Sequence, residues 1–355
     1  MKTIAAILKN LNQPLVIEEL SLPVLKPGQV LVNVFYSGVC RSQLNEIHGL
    51  KGEDKFLPHT LGHEGSGKVL EVGQSVRKVK PGDHVLLTWI KGDGADVPST
   101  VYQSSEGPIN SGPISTFMRT TVISENRLVL IPKEMPLKEA ALLGCAFPTG
   151  AGIILNNAKV SPGCSVAVFG VGGIGLSSIM AADVRDIGKI IAVDVFDHKL
   201  ELAYQIGATH VINAKKQKPF TEIMNITGGK GVDYAIEASG RAETMEMAFE
   251  SARIKGGKCI VAGNLPDGEM ISINPMELIK GKQIVGTWGG ETNPDIDIPK
   301  YVDLYLSGKM KLGKIITQEY KLQSISKAFD DFEKGKVLGR ALIDMNRSES
   351  INDKY

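Results

Sequence analysis

An apolar run, Ser165-Val166-Ala167-Val168-Phe169, leads into Gly170-Val171-Gly172-Gly173-Ile174-Gly175, and a helical pattern opens at about Ile174. This order of strand, glycine turn and helix restricts the fold more than any other stretch of the chain. Glycine lets the backbone turn tightly and approach a pyrophosphate, and the helix start offers free N–H groups and the positive end of its dipole. Asp194 ends the next apolar run, nineteen residues after Gly175. A carboxylate there accepts from both ribose hydroxyls and repels a 2′-phosphate, so NAD is expected rather than NADP. The residues that follow, Val195, Phe196, Asp197, His198 and Lys199, include no arginine to favour the phosphate.

Around that turn the sequence alternates apolar strands with helices. Strands are expected at 166–169, 190–193, 210–212, 232–237 and 258–262, with helices at 174–186 and 198–205. Gly207 supplies a helix stop. Such alternation specifies βαβ units and a doubly wound parallel sheet. The earlier part is different. Short β-branched runs follow Lys26-Pro27-Gly28 and Lys80-Pro81-Gly82, which are turn signals feeding strands. At 355 residues two domains are expected. The boundaries read as 148–290 for the doubly wound domain, and 1–147 with 291–355 for a β-rich one. The second is completed by helices near 298–307 and 324–336 and a last strand at 340–345. The polar segment 346–355 is expected to fray.

Composition narrows the function classes. Hydrophobic residues make up 43% and charged residues 22%, as in an ordinary soluble globular protein. A net charge of +1 leaves no footprint for nucleic acid or an anionic membrane. No apolar run reaches the length of a membrane span. The N-terminus meets Lys2 and Lys9 too early for a signal peptide and reads as a strand. The four cysteines, Cys40, Cys145, Cys164 and Cys259, are widely separated. A disulfide framework does not follow from that spacing, and a cytoplasmic location is expected. Cys164 and Cys259 adjoin or sit in apolar strands and read as small buried hydrophobes.

Cys40 and Cys145 carry more meaning, because Gly62-His63-Glu64 lies between them. Taken singly, a cysteine is a core residue and a histidine a hydrogen-bonded one. Together, two thiolates and an imidazole suit zinc, and three protein ligands with an open fourth position make a catalytic site. A Lewis acid beside a hydride carrier implies oxidation of an alcohol or reduction of a carbonyl.

On these residues the chain resembles the zinc-containing medium-chain alcohol dehydrogenases over nearly its whole length. Gly62-His63-Glu64-Gly65-Ser66-Gly67 is similar to that family's zinc signature, and Leu143-Gly144-Cys145-Ala146-Phe147-Pro148-Thr149-Gly150 to its last ligand motif. The resemblance implies a GroES-like β domain joined to a Rossmann domain. It implies that Cys40, His63 and Cys145 hold the metal, that Glu64 is a transient ligand, and that Ser42 takes the proton from the substrate. It gives the cofactor to Gly170, Gly172, Gly173, Ile174, Gly175 and Asp194, with Arg41 and Arg340 on the pyrophosphate, Lys199 on the ribose and Thr149 near the nicotinamide.

Four departures from the family pattern alter these expectations. The stretch near 90–117 has no cysteine, so one catalytic zinc per subunit and no structural zinc are expected, and something else must order that loop. Gln43 stands where an aspartate often orients the ligand histidine. Asn45 stands where some members end a proton relay with histidine, and His48 is a substitute one turn on. Trp89 falls where the family places an aromatic pocket wall, and Asn264 and Glu291 give the substrate pocket a polar cast, which points to a polyol, sugar or aminocyclitol. A simple primary or secondary alcohol is the alternative. The zinc-free quinone or enoyl reductase branch lacks the thiolates, and a non-enzymatic NAD-binding protein would not need Ser42. Partners are expected to be a small-molecule substrate and further copies of the chain. Gln283-Ile284-Val285-Gly286-Thr287-Trp288 reads as an apolar edge strand suited to a homodimer or a tetramer of dimers.

Overall fold

The computed structural model describes residues 1–346, and the expected fraying of the tail falls, but for Asn346, outside them. The chain forms two compact units. One comprises 1–145, 293–303 and the segment from 316 onward; the other comprises 146–292 and 304–315.

Among the described residues, the first unit is a GroES-like β domain. A closed barrel runs through Lys2–Leu8, Val16–Ser21, Val101–Ser104, Gly107–Asn110 and His59–Thr60. Beside it lies a seven-stranded sheet whose centre is Gln29–Gly38, paired antiparallel to Glu64–Val72, Thr120–Ser124 and Arg340–Asp344. Val30, Val32 and Val34 alternate along that central strand, all fully buried. They meet Val69, Val85, Leu87, Ile123 and Ile343 in one apolar cluster. Pairing of Arg340–Asp344 with Gln29–Gly38 brings the end of the chain back into this unit. The helix Ile325–Glu333 covers the core with Ile325, Ala328 and Phe329, the spacing of one helical face.

The second unit is a Rossmann-type parallel sheet of six strands. Their order is His210–Asn213, Lys189–Asp194, Ser165–Phe169, Tyr234–Glu237, Lys258–Val261 and Gln283–Gly286. The order reverses between Ser165–Phe169 and Tyr234–Glu237, which makes their C-terminal ends the topological switch point where such folds bind ligands. The strands at 165–169 and 189–194 are buried on both sides and read as continuous apolar runs for that reason. Pro219–Ile226 and Ala242–Ser251 are among the helices that the sequence did not lead us to expect. Both had signals: Pro219 at a first helical position, and Met245, Ala248 and Phe249 at helical spacing. Cys259 is buried as expected, whereas Cys164 at the mouth of its strand is only partly so, and none of the four cysteines is in a disulfide. No single described helix is long and apolar enough to cross a membrane.

Candidate active site

Cys40, His63, Glu64 and Cys145 converge in the first unit, with one ligand atom from each within 4.8 Å of the others. Local structure explains how residues 105 positions apart are gathered. Cys40 precedes the helix Arg41–Ile47, and the buried Gln43 caps it by accepting the Cys40 N–H through Oε1 at 2.9 Å. Gln43 therefore fixes the backbone of a sulfur ligand; its carbonyl is not directed at His63. Gly62 has φ +99°, and a Cβ there would lie 2.4 Å from Thr116 Oγ1, so the turn into His63 requires glycine. The Glu64 carbonyl accepts from Ser37 Oγ at 3.0 Å and from Thr116 Oγ1 at 3.1 Å. Thr88 Oγ1 donates to the Gly144 carbonyl at 2.7 Å, which anchors the segment that carries Cys145. A Cβ on Gly38 would lie 2.5 Å from the Glu64 carboxyl carbon, and one on Gly144 would lie 2.8 Å from the Glu64 Cβ. Both positions are bare because Glu64 fills the space.

The electrostatics suit a bound cation. The Cys40 thiol is held well below its ordinary value, first by a hydrogen bond from Cys145 and then by His63 and Arg340, against the opposing cost of burial. Cys145 is pushed up as the donor of that pair and by its own burial. The Trp89 indole N–H acts on Cys145 in the opposite sense and lowers it. His63 Nε2 is buried and has no hydrogen-bond partner, an unmet polar atom among soft donors. Two sulfurs, a free imidazole nitrogen and a carboxylate are the donor set of a zinc site with room for a further ligand, so the residues fit the metal. Arg340, expected on the pyrophosphate, is 3% exposed and its guanidinium closes on the Glu64 carboxylate.

The other candidates fall as follows. Ser42 lies in the first turn after Cys40, half-buried. Arg41 sits 5.6 Å over the Phe332 ring. Asn45 is buried, while His48 Nδ1 lies 3.1 Å from Asn12 Oδ1 and its Nε2 lies 3.2 Å from the Glu333 carboxylate. A second group, Glu46, Asp54 and His59, also gathers within 4.8 Å. Its His59 Nε2 lies 2.8 Å from Asp54 and its Glu46 pairs with Lys51 at 2.8 Å, so both carboxylates already have partners.

In the second unit Gly170 has φ +92°, and a Cβ there would lie 2.8 Å from Ser239 N. A Cβ on Gly175 would lie 2.0 Å from the Gly170 carbonyl, so the helix Gly173–Val184 packs on the turn only without a side chain. Gly172 opens on free space. Gly173 and Ile174 form the first helical residues behind it. Asp194 Oδ2 accepts from Val171 N at 2.8 Å, and Oδ1 from Val195 N at 2.7 Å, which ties the strand end to the glycine turn. Lys199 lies 5.4 Å from the Phe196 ring centroid, and Thr149 is buried in the helix Ala146–Gly152. Asn264 is exposed and packs its backbone on Gly240, and Glu291 is exposed at φ +49°.

Comparison with known proteins agrees with this geometry. Residues 26–133 match the family described as alcohol dehydrogenase GroES-like domain, and residues 173–307 the one described as zinc-binding dehydrogenase. The chain is 34% identical to S-(hydroxymethyl)glutathione dehydrogenase of Synechocystis sp., over 95% of this chain and 98% of that protein. It is similar in structure to benzyl alcohol dehydrogenase of Acinetobacter calcoaceticus, with 31% identity, a TM-score of 0.88, and 97% and 99% of the two chains covered. An alcohol dehydrogenase zinc-binding domain protein of Burkholderia ambifaria gives 31% identity and a TM-score of 0.90, covering 98% and 100%.

Proposed function

Because the chain belongs to the zinc-dependent medium-chain alcohol dehydrogenases, we propose that it is an NAD-dependent oxidoreductase that interconverts a hydroxyl-rich alcohol and its carbonyl. The observation that carries this is the Cys40, His63, Glu64 and Cys145 cluster, in a chain that also has the glycine turn and Asp194.

Cys40, His63 and Cys145 would hold one zinc per subunit. The bound metal supplies a Lewis acid for the substrate oxygen, and the dinucleotide supplies the hydride acceptor. The protein's own residues do the rest. Arg340 holds the Glu64 carboxylate beside the ligands and neutralises it, so the pair adds no net charge to the site. Trp89 favours the Cys145 thiolate through its N–H and lays an indole wall at the site. Ser42, two residues beyond a ligand, accepts the substrate's hydroxyl proton, which leaves through water or ribose because Asn45 does not titrate. Asp194 selects NAD by accepting from the ribose hydroxyls where a 2′-phosphate would be repelled.

The hydroxyl-rich substrate rests on the polar residues Asn264 and Glu291, since placed polar groups reject partners that leave them unpaired. S-(hydroxymethyl)glutathione is the second reading, favoured by the names of the relatives at 34% identity. NADH formation across polyols, sugars, aminocyclitols, simple alcohols and a formaldehyde–glutathione mixture separates them. Turnover confined to ethanol or benzyl alcohol would remove the hydroxyl-rich reading, and turnover only with the thiol adduct would replace it. The exposed strand Gln283–Gly286, at the end of the parallel sheet, supports assembly into a homodimer or a tetramer of dimers.

A further inference from the structure

Glu237 ends the strand Tyr234–Glu237 with 0% exposure. Its Oε1 accepts from Ser239 N at 2.9 Å, Ser239 Oγ at 2.6 Å, Gly240 N at 2.9 Å and Thr244 Oγ1 at 2.9 Å. Its Oε2 is buried and accepts from nothing. Among the described residues no lysine, arginine or histidine pairs with it. A desolvated carboxylate with one idle oxygen and no counterion is costly to keep, and such a group asks for a cationic partner. Its field is felt nearby: the Cys259 thiol is pushed up to about 12, by burial first and by Glu237 second.

The location gives that partner an identity. A Cβ on Gly170 would lie 2.8 Å from Ser239 N, and one on Gly263 would lie 2.2 Å from Gly240 N and 2.4 Å from Glu237 Oε2. A Cβ on Gly240 would lie 2.6 Å from the Asn264 carbonyl. The turns that close the strands Ser165–Phe169, Tyr234–Glu237 and Lys258–Val261 therefore touch backbone to backbone around this carboxylate. The glycine turn and Asp194 lie on the strands at 165–169 and 189–194, which is the adenosine half of a site at the switch point. The other half of a dinucleotide runs over the ends of the strands at 234–237 and 258–261. That half carries the nicotinamide, which is cationic when oxidised and neutral when reduced. A charge held in a low-dielectric wall discriminates between those two forms, whereas contacts with the rest of the molecule do not.

We propose that Glu237 sets the redox preference of cofactor binding, its uncompensated buried carboxylate favouring the oxidised nicotinamide over the reduced one. This rests on the dinucleotide reading above. The test is direct titration of wild type and Glu237→Gln with NAD+ and with NADH, by calorimetry and by fluorescence, without substrate. The expected result is a rise of about tenfold in the ratio of the NAD+ Kd to the NADH Kd. A loosened turn weakens both forms alike, so equal losses, like an unchanged ratio, overturn the proposal. Failure of the wild type to bind either form overturns the dinucleotide reading and this inference with it. Should Glu237→Gln not fold, Thr244→Val removes one donor from the carboxylate and leaves its charge. It is expected to lower the ratio below wild type, and a ratio at or above wild type contradicts the proposal.

Discussion

Trp89 and Glu64 show how much a single side chain does beyond its motif. Trp89 reads in the sequence as a pocket wall, and its indole N–H also lowers the Cys145 thiol. Groups that hydrogen-bond a metal's ligands tune its affinity, and their removal typically costs about 10–100-fold. Trp89→Phe keeps the ring and deletes the donor, so zinc affinity is expected to fall by about tenfold with little change in thermal stability, measured by competition with a chelator. Cys145→Ser is a larger change. It removes a soft ligand and is expected to abolish stoichiometric zinc by elemental analysis and to lower kcat by at least about 100-fold. Two members of the donor cluster, His63 and Cys145, were legible because each follows a glycine within a short motif. The Arg340–Glu64 pair was not, because 276 positions separate its partners and no local pattern links them. Gln43 could have been read: a glutamine three residues after the residue that precedes a helix is a capping signal.

At the scale of elements, the parallel sheet was the more legible half. Its strands are apolar throughout, its helices follow at regular spacing, and each strand pairs with its neighbours without a bulge. The β domain hides its pairing, since Gln29–Gly38 meets Glu64–Val72 with two register shifts and its last partner lies near the end of the chain. The loop near 90–97, which has no cysteine, is ordered by a carboxylate. The buried Glu125 accepts from Arg77 N at 2.5 Å, Lys78 N at 2.7 Å and Ala95 N at 3.0 Å. Ser124 Oγ adds bonds to the Ala95 carbonyl at 2.7 Å and from Val97 N at 2.8 Å. Burial pushes the Glu125 carboxyl up, and the three N–H groups overcome that and hold it below its ordinary value. A folded value below the unfolded one stabilises the protein above the unfolded value, about 4.3, and that contribution is lost as pH falls through the folded one. Glu125→Gln is therefore expected to cost about 1–3 kcal/mol at pH 7, with the deficit shrinking below about pH 4, in urea unfolding at both values. An equal deficit at both pH values would contradict the clasp.

For the whole molecule, the distribution of exposed apolar residues bears on assembly. Val285 is 38% exposed and Trp288 77%, both on or just beyond the terminal strand of the parallel sheet. An unpaired edge of this kind is a template for a second chain, and a charge on it is the usual guard. Val285→Lys is accordingly expected to shift the protein toward monomer in light scattering while each subunit keeps its fold by circular dichroism. A wild-type monomer at micromolar concentration would remove that expectation. The two chemistries on which function depends belong to separate units, a four-residue donor cluster in one and a glycine turn with Asp194 in the other. The most direct test of the account is NADH formation from the alcohol panel by the metal-loaded protein, by the same protein stripped with a chelator, and after zinc is restored. The account predicts NADH formation from at least one alcohol, its loss on stripping and its return with one equivalent of zinc. Undiminished NADH formation by the stripped protein would contradict it.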